Sequence, residues 1–239
     1  MINIKNKIIV ISGTSSGIGF FLAKELLKFK CKVIGLSRKK TNIKNKNFFN
    51  FCGNILNEDD QKKFLKYLKI KHIKVDVLIN NAGISKNGYN LKVIKENIDT
   101  NFISTFSLTE KLIHLMKKNG GSIINVSSIA SLYGFPNNPG YNASKAALNS
   151  LTKSLANDYA KYNIRCNSLL LGYFKSKMTM ASYNNPQARK IREKHTVLNR
   201  WGKYKEILGP VLFLSSKHSN YITGQNLIVD GGWTIKGFN

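Results

Sequence analysis

Three pairs in this chain place a tyrosine four residues before a lysine: Tyr67/Lys71, Tyr141/Lys145 and Tyr173/Lys177. On a helix such residues share a face. An ammonium held beside a phenol favours the phenolate and eases proton transfer at neutral pH. Composition alone supplies such pairs. With 10 tyrosines and 33 lysines among 239 residues, about one or two arise by chance. The surroundings have to choose among the three.

The elements that would position these residues alternate from end to end. Apolar runs at 7–12, 32–37, 47–51, 75–80, 122–127, 164–171 and 226–230 read as seven short strands. Several are nearly continuous in apolar character, which implies burial on both faces. Helix-length segments lie between them: Ile18–Phe29, Glu58–Lys71, Ile98–Lys118, Tyr141–Lys161 and Lys205–Ser215. This alternation predicts an α/β fold, a doubly wound Rossmann-type parallel sheet with helices on both faces. No linker or repeat divides the chain, so 1–239 is expected to be one domain, with a substrate lid at about 173–199.

The first strand runs into Ser12-Gly13-Thr14-Ser15-Ser16-Gly17-Ile18-Gly19 and then a helix. Such a turn lets backbone N–H groups approach a pyrophosphate at the helix N-terminus. Gly13, Ser15, Ser16, Gly17, Ile18 and Gly19 are therefore the candidate dinucleotide cradle. The second strand ends Leu36-Ser37-Arg38-Lys39-Lys40. A carboxylate there would bond the ribose 2′-hydroxyl of NAD, whereas an arginine accommodates the 2′-phosphate of NADP. One of the five arginines stands here beside a hydroxyl that can donate, so Ser37 and Arg38 predict NADP(H).

The glycine spacing, Asn80-Asn81-Ala82-Gly83 after the fourth strand, Ser127-Ser128 after the fifth, and Tyr141/Lys145 thirteen residues beyond Ser128 together resemble the short-chain dehydrogenase/reductase family. The resemblance runs from Lys7 to about Trp233. It is closest in pattern to the 3-oxoacyl-[acyl-carrier-protein] reductases and related small-ketone reductases. It selects Tyr141/Lys145 among the three pairs. Tyr67/Lys71 reads as a solvated helix face, and Tyr173/Lys177 falls in the loop expected over the nicotinamide.

The resemblance implies an NADPH-dependent ketoreductase. Tyr141 would be the proton donor, with its phenol lowered by Lys145 together with the positive nicotinamide of the oxidised cofactor. Lys145 would also hold the ribose, and Ser128 would donate to the carbonyl oxygen. Asn101 matches the helix asparagine that positions a relay water. Asn54 and Ile55 would face the adenine, Asn54 replacing the family's usual aspartate. Asn81, Ala82 and Gly83 would line the adenosine ribose. Gly172, Phe174 and Ser176 would lie along the nicotinamide, where Leu171 replaces the family's proline.

Other classes are weaker. The net charge of +26 suggests nucleic acid. The basic residues, however, are 33 lysines against 5 arginines, dispersed along the chain, as an A/T-rich coding bias would produce. No partner nucleic acid or membrane is expected. The run Ile8–Ile11 is too short for a signal core, and no apolar stretch approaches roughly 18 residues. Cys31, Cys52 and Cys166 form no C-x-x-C pair, consistent with a reduced, cytoplasmic setting. The four histidines suggest no metal site, and Ser128 lacks a nucleophile elbow.

The substrate stays open between two classes. Lys117 and Lys118, placed near the site rim, would meet an acidic carrier protein. Against this, the Gly83–Asn101 segment is short for a carrier-protein reductase, and Ser15 stands where many of those enzymes have a basic residue. Arg189 and Arg192 on the lid would instead clamp a phosphorylated or nucleotide-linked sugar ketone. A non-catalytic NADP-binding sensor is the alternative of another class. By resemblance the protein is a homotetramer, packing through Ile98–Lys118 and Tyr141–Lys161, with the Trp233 segment at a second interface.

Overall fold

The computed structural model describes residues 2–237; Met1 and the last two residues of the expected 1–239 unit lie outside them. Seven strands form one parallel sheet: β1 (Ile8–Ser12), β2 (Lys32–Ser37), β3 (Phe48–Cys52), β4 (Val77–Asn80), β5 (Gly121–Ser128), β6 (Ile164–Leu171) and β7 (Asn226–Val229). Their order is β3-β2-β1-β4-β5-β6-β7. The order reverses between β1 and β4, and in such sheets the crevice beyond the strand C-termini at that switch is where ligands bind.

Helices cover both faces: α1 (Gly17–Leu26), α2 (Glu58–Ile70), α3 (Leu91–Ile98), α4 (Ser104–Ile113), α5 (Pro139–Tyr159), α6 (Met180–Asn184), α7 (Pro186–Lys194) and α8 (Lys205–Ser215). In β1, Ile9 and Ile11 pack beneath Leu22 and Leu26 of α1 and Ile207 and Val211 of α8. Val10, between them, points the other way, toward Phe64 of α2 and Leu108 and Leu112 of α4. Alternate side chains thus enter opposite cores, which is why the strand reads as an unbroken apolar run.

Two expected helix boundaries move. The segment expected as one helix from Ile98 to Lys118 is a π-helical turn at Asp99–Ile103, which continues from α3, followed by α4, which ends at Ile113. Asn90 starts α3 by accepting from the Val93 N–H at 2.9 Å. α5 begins at Pro139, where a proline fits the first turn, so Tyr141 lies within that turn.

Candidate active site

The C-terminal end of β5 brings the expected catalytic residues together. Register pairs Ser128 with Leu171, which sets the serine beside the loop that begins at Gly172. The Ser128 hydroxyl accepts from the Ala130 N–H at 3.1 Å, leaving its proton to donate elsewhere. α5 starts above this strand end. Lys145 is tied to β5 from both of its ends: its Nζ donates to the Val126 carbonyl at 2.9 Å, and its own carbonyl accepts from Ser127 Oγ at 3.2 Å. The ammonium lies 5.7 Å from the centroid of the Tyr141 ring.

Burial governs the charges here. Lys145 is 5% exposed, and burial pushes its ammonium down from 10.5 to about 8. Burial raises the Tyr141 phenol, the neighbouring Ser128 hydroxyl opposes the rise, and Tyr173 adds to it. Within the chain, desolvation of the phenol outweighs the Ser128 hydrogen bond; the lowering expected above belongs to Lys145 acting together with an oxidised nicotinamide.

Asn101 is fully buried at the π turn. Its Oδ1 accepts from the Ile84 N–H at 2.8 Å, and its Nδ2 donates to the Ile84 carbonyl and to Ser144 Oγ, both at 2.9 Å. Its side chain therefore fixes the turn after β4 to the start of α5. Gly83 lies in that turn, and a Cβ there would stand 3.6 Å from Lys145 Nζ.

The β1–α1 turn fits a dinucleotide pyrophosphate. Gly13 and Gly17 have φ of +80° and +61°. Ser16 occupies the N-cap position without a side-chain capping bond, and no acidic residue lies in the first turn of α1. The first N–H groups are left for an anion. Ser15 and Ser16 are exposed at this end, whereas Ile18 packs toward the core. A Cβ on Gly19 would run into the Gly13 carbonyl, so close backbone approach shapes the loop. Asn81 holds it from the β4 side, its Nδ2 donating to the Ser12 and Gly13 carbonyls at 3.0 and 3.3 Å. Ala82 N–H donates to Ser12 Oγ at 3.1 Å.

At the end of β2 the two expected residues part. Arg38 is exposed, but Ser37 is 4% exposed and its hydroxyl donates to the Lys39 carbonyl at 2.8 Å. Ser37 belongs to a buried hydroxyl cluster with Thr14 and Thr41, whose members come from separate segments and carry no local signal. Gly35 has no side chain because Thr14 fills that space. Asn54 accepts from the Leu56 N–H at 3.1 Å, which leaves its amide donors unengaged. The Ile55 side chain is buried in the core beside Phe64, so only its backbone borders the site.

Beyond Gly172, where a Cβ would strike Asp230, Phe174 is buried and bridges to Gly202. Ser176 Oγ lies 3.1 Å from Thr179 Oγ1, which in turn donates to the Phe174 carbonyl at 2.5 Å. Tyr173 is not paired with Lys177. It packs 6.1 Å from Phe135 and 5.2 Å from Trp201, with Arg192 5.2 Å from its ring. The His195 ring lies 4.6 Å from that of Trp233, tilted to it by 49°. Tyr67 is half-buried against Phe51 rather than solvated.

Two expected substrate contacts are not assembled. Lys117 and Lys118 precede β5, and Lys117 lies over Tyr159 and Tyr162 just before β6. That is the N-terminal edge of the sheet, opposite the site. Arg189 and Arg192 do not form one clamp, because Arg189 pairs with Glu193 at 2.8 Å while Arg192 turns to Tyr173. Among the described residues, no helix is long and apolar enough to cross a membrane.

Residues 13–234 match the family described as enoyl-(acyl carrier protein) reductase. The chain is 31% identical to the 3-oxoacyl-[acyl-carrier-protein] reductase FabG of Thermotoga maritima, over 97% of this chain and 99% of that one. It is 29% identical to a 2-dehydro-3-deoxy-D-gluconate 5-dehydrogenase of Dickeya dadantii, over 98% of each. Among solved structures, a 4-hydroxyisoleucine dehydrogenase complexed with NADH superposes with a TM-score of 0.92 at 30% identity, covering 97% of this chain and 100% of the other.

Proposed function

Because the chain belongs to the short-chain dehydrogenase/reductase family of oxidoreductases, we propose that it interconverts a ketone and a secondary alcohol with NADP(H). The observation that carries this reading is the meeting of Ser128, Tyr141 and Lys145 at the end of β5, facing the glycine turn across the β1/β4 switch.

When bound, the dinucleotide supplies the hydride. The chain's residues do the rest. Gly13, Ser15, Ser16, Gly17 and Gly19 hold the pyrophosphate, while Asn81, Ala82 and Gly83 border the ribose. Lys145 takes the ribose hydroxyls and presents positive charge to Tyr141. The Tyr141 hydroxyl gives its proton to the carbonyl oxygen in reduction and takes it back in oxidation. Ser128 donates to the same oxygen and stabilises its developing charge. Phe174 and Ser176 close the far side.

NADP(H) rather than NAD(H) is supported by Arg38, exposed at the end of β2 with no neighbouring carboxylate in its turn. Ser37 contributes by ordering that turn rather than by reaching the phosphate. A homotetramer is supported by Ile103 and Phe106, 48% and 44% exposed around the start of α4. Three free thiols, two of them buried, support a cytoplasmic setting.

For the substrate, the relatives include both a 3-oxoacyl-carrier reductase and a sugar-acid dehydrogenase. The placement of Lys117 removes one support for carrier docking. The experiment is a panel of acyl thioesters, sugar-acid ketones and sugar-nucleotide ketones monitored by NADPH loss. Reduction of one class establishes the activity. NADPH binding with no turnover across the panel would instead favour the sensor reading.

A further inference from the structure

Each arginine but one has its charge or its donors accounted for. Arg200 pairs with Glu206 through two bonds of 2.9 and 2.6 Å, and Arg189 pairs with Glu193. Arg165 donates to the carbonyls of Leu214, Ser216 and Ile222. Arg38 is solvated. Arg192 is half-buried, and among the described residues no carboxylate lies within ion-pair distance of it. Its Nη1 donates to the Ala188 carbonyl at 3.0 Å, and its Nε is buried without a hydrogen-bond partner. A guanidinium withdrawn from water without a counter-anion is costly.

The position of Arg192 suggests what offsets that cost. Its guanidinium carbon lies 5.2 Å from the Tyr173 ring centroid. Tyr173 sits close enough to Tyr141 for its charge to oppose ionisation of the catalytic phenol. Phe135, Trp201 and Trp233 complete an aromatic wall around Tyr173. Arg192 also hydrogen-bonds the Tyr173 side chain, so a cation with no carboxylate partner stands one side chain away from the reacting centre.

We infer that Arg192 is the specificity residue of this site, receiving the carboxylate of a keto acid or hydroxy acid whose reacting carbon lies a short chain away, beneath Tyr141. This rests on the ketoreductase reading above. A carboxylate is planar and matches the fixed fork of guanidinium donors. Its single charge matches one guanidinium. A phosphate dianion would need a second cation, and Arg189 on the same helix is paired with Glu193.

The test uses the full chain with NADP⁺ present. Acetoacetate, levulinate and 5-oxohexanoate are titrated calorimetrically against their methyl esters, alongside dihydroxyacetone phosphate. At least one acid should bind about tenfold or more tighter than its ester. Arg192→Gln should erase that preference, Arg192→Lys should keep part of it, and Arg189→Gln should leave it intact. Equal binding of every acid and its ester would overturn the inference. So would an Arg192→Gln loss that falls equally on acid and ester, or dihydroxyacetone phosphate binding more tightly than every acid. NADPH oxidation is read separately. Acid preference without turnover would count against the ketoreductase reading alone, whereas equal turnover of acid and ester would uphold that reading and sink this one.

Discussion

Asn101 grips the backbone of Ile84 from both sides, accepting from its N–H at 2.8 Å and donating to its carbonyl at 2.9 Å. The same amide reaches Ser144 on α5, so one buried side chain sets the distance between the turn after β4 and α5. Asn101→Ala should cost about 1–3 kcal/mol of stability by leaving buried polar groups unpaired. It should also weaken NADPH binding, because Gly83 and Lys145 lose their common reference. Denaturant unfolding and a fluorescence titration of NADPH check the two effects; unchanged values in both would show that the amide positions nothing.

Tyr141→Phe should lower turnover at least about a hundredfold, the lower end for general acid catalysis, with NADPH binding nearly intact. Tyr67→Phe should leave kinetics unchanged, since Tyr67 packs on Phe51 away from the site. Tyr173→Phe should alter the Michaelis constant more than turnover. Steady-state kinetics on the best substrate of the panel separate the three.

Arg38→Ala should narrow the preference for NADPH over NADH by about one to two decades, the worth of a charge-assisted contact of about 1.5–3 kcal/mol. Ser37→Ala acts differently. It should disturb the Thr14–Thr41 cluster and weaken both cofactors together. Dissociation constants for both cofactors with each variant give the answer, and an unchanged ratio in Arg38→Ala would remove the NADP assignment.

Lys145 links stability to pH. Its ammonium titrates near 8 when folded and near 10.5 when free. Between those values the unfolded chain binds the extra proton, so this residue's contribution makes stability rise with pH; below about 8 its cost is fully present. Lys145→Met should therefore be more stable than the native protein near pH 7 by up to about 3 kcal/mol, and melt at a higher temperature, while losing activity. The advantage should fade as pH rises toward 10.5. Paired thermal melts across that range test it, and a constant difference would assign the effect to packing instead.

Ile103 and Phe106 are the exposed apolar residues around the start of α4. If they seal a subunit interface, Phe106→Glu should shift the protein from tetramer toward smaller species in light scattering, with secondary structure retained by circular dichroism. A native protein that scatters as a monomer at micromolar concentration in physiological salt would exclude the assembly.

The strands were legible because a doubly buried parallel strand needs apolar residues on both of its faces, as Ile9, Val10 and Ile11 show. α3 was not, because its one buried residue is Asn97, which holds the Lys86 backbone, while Leu91 is 83% exposed. Its apolar positions Leu91, Ile94 and Ile98 do fall at helical spacing, but the helix is only two turns long and none of the three is fully buried, so the stripe is a short signal. The meeting of Tyr141 and Lys145 could be read from type and order, since they stand one helical turn apart on α5. The Thr14–Ser37–Thr41 cluster and the partners of Tyr173 depend on contacts between distant segments. Lys117 was misplaced although a signal existed: residues that lead into a parallel strand lie at the edge opposite its catalytic end.

The aromatic wall is assembled from Tyr133, Phe135, Tyr173, Trp201 and Trp233, none of which lies in a strand of the sheet. Its residues contribute little to the register that holds β1, β4 and β5 in place. In a lineage under mutation, such a wall can drift through many side-chain combinations while the dinucleotide end keeps its tight glycine contacts. A saturation library scored for expression and for activity should therefore divide in two: at Gly19, Asn81 and Asn101 the scores fall together, and at Tyr133, Phe135 and Trp233 substrate choice changes while yield holds.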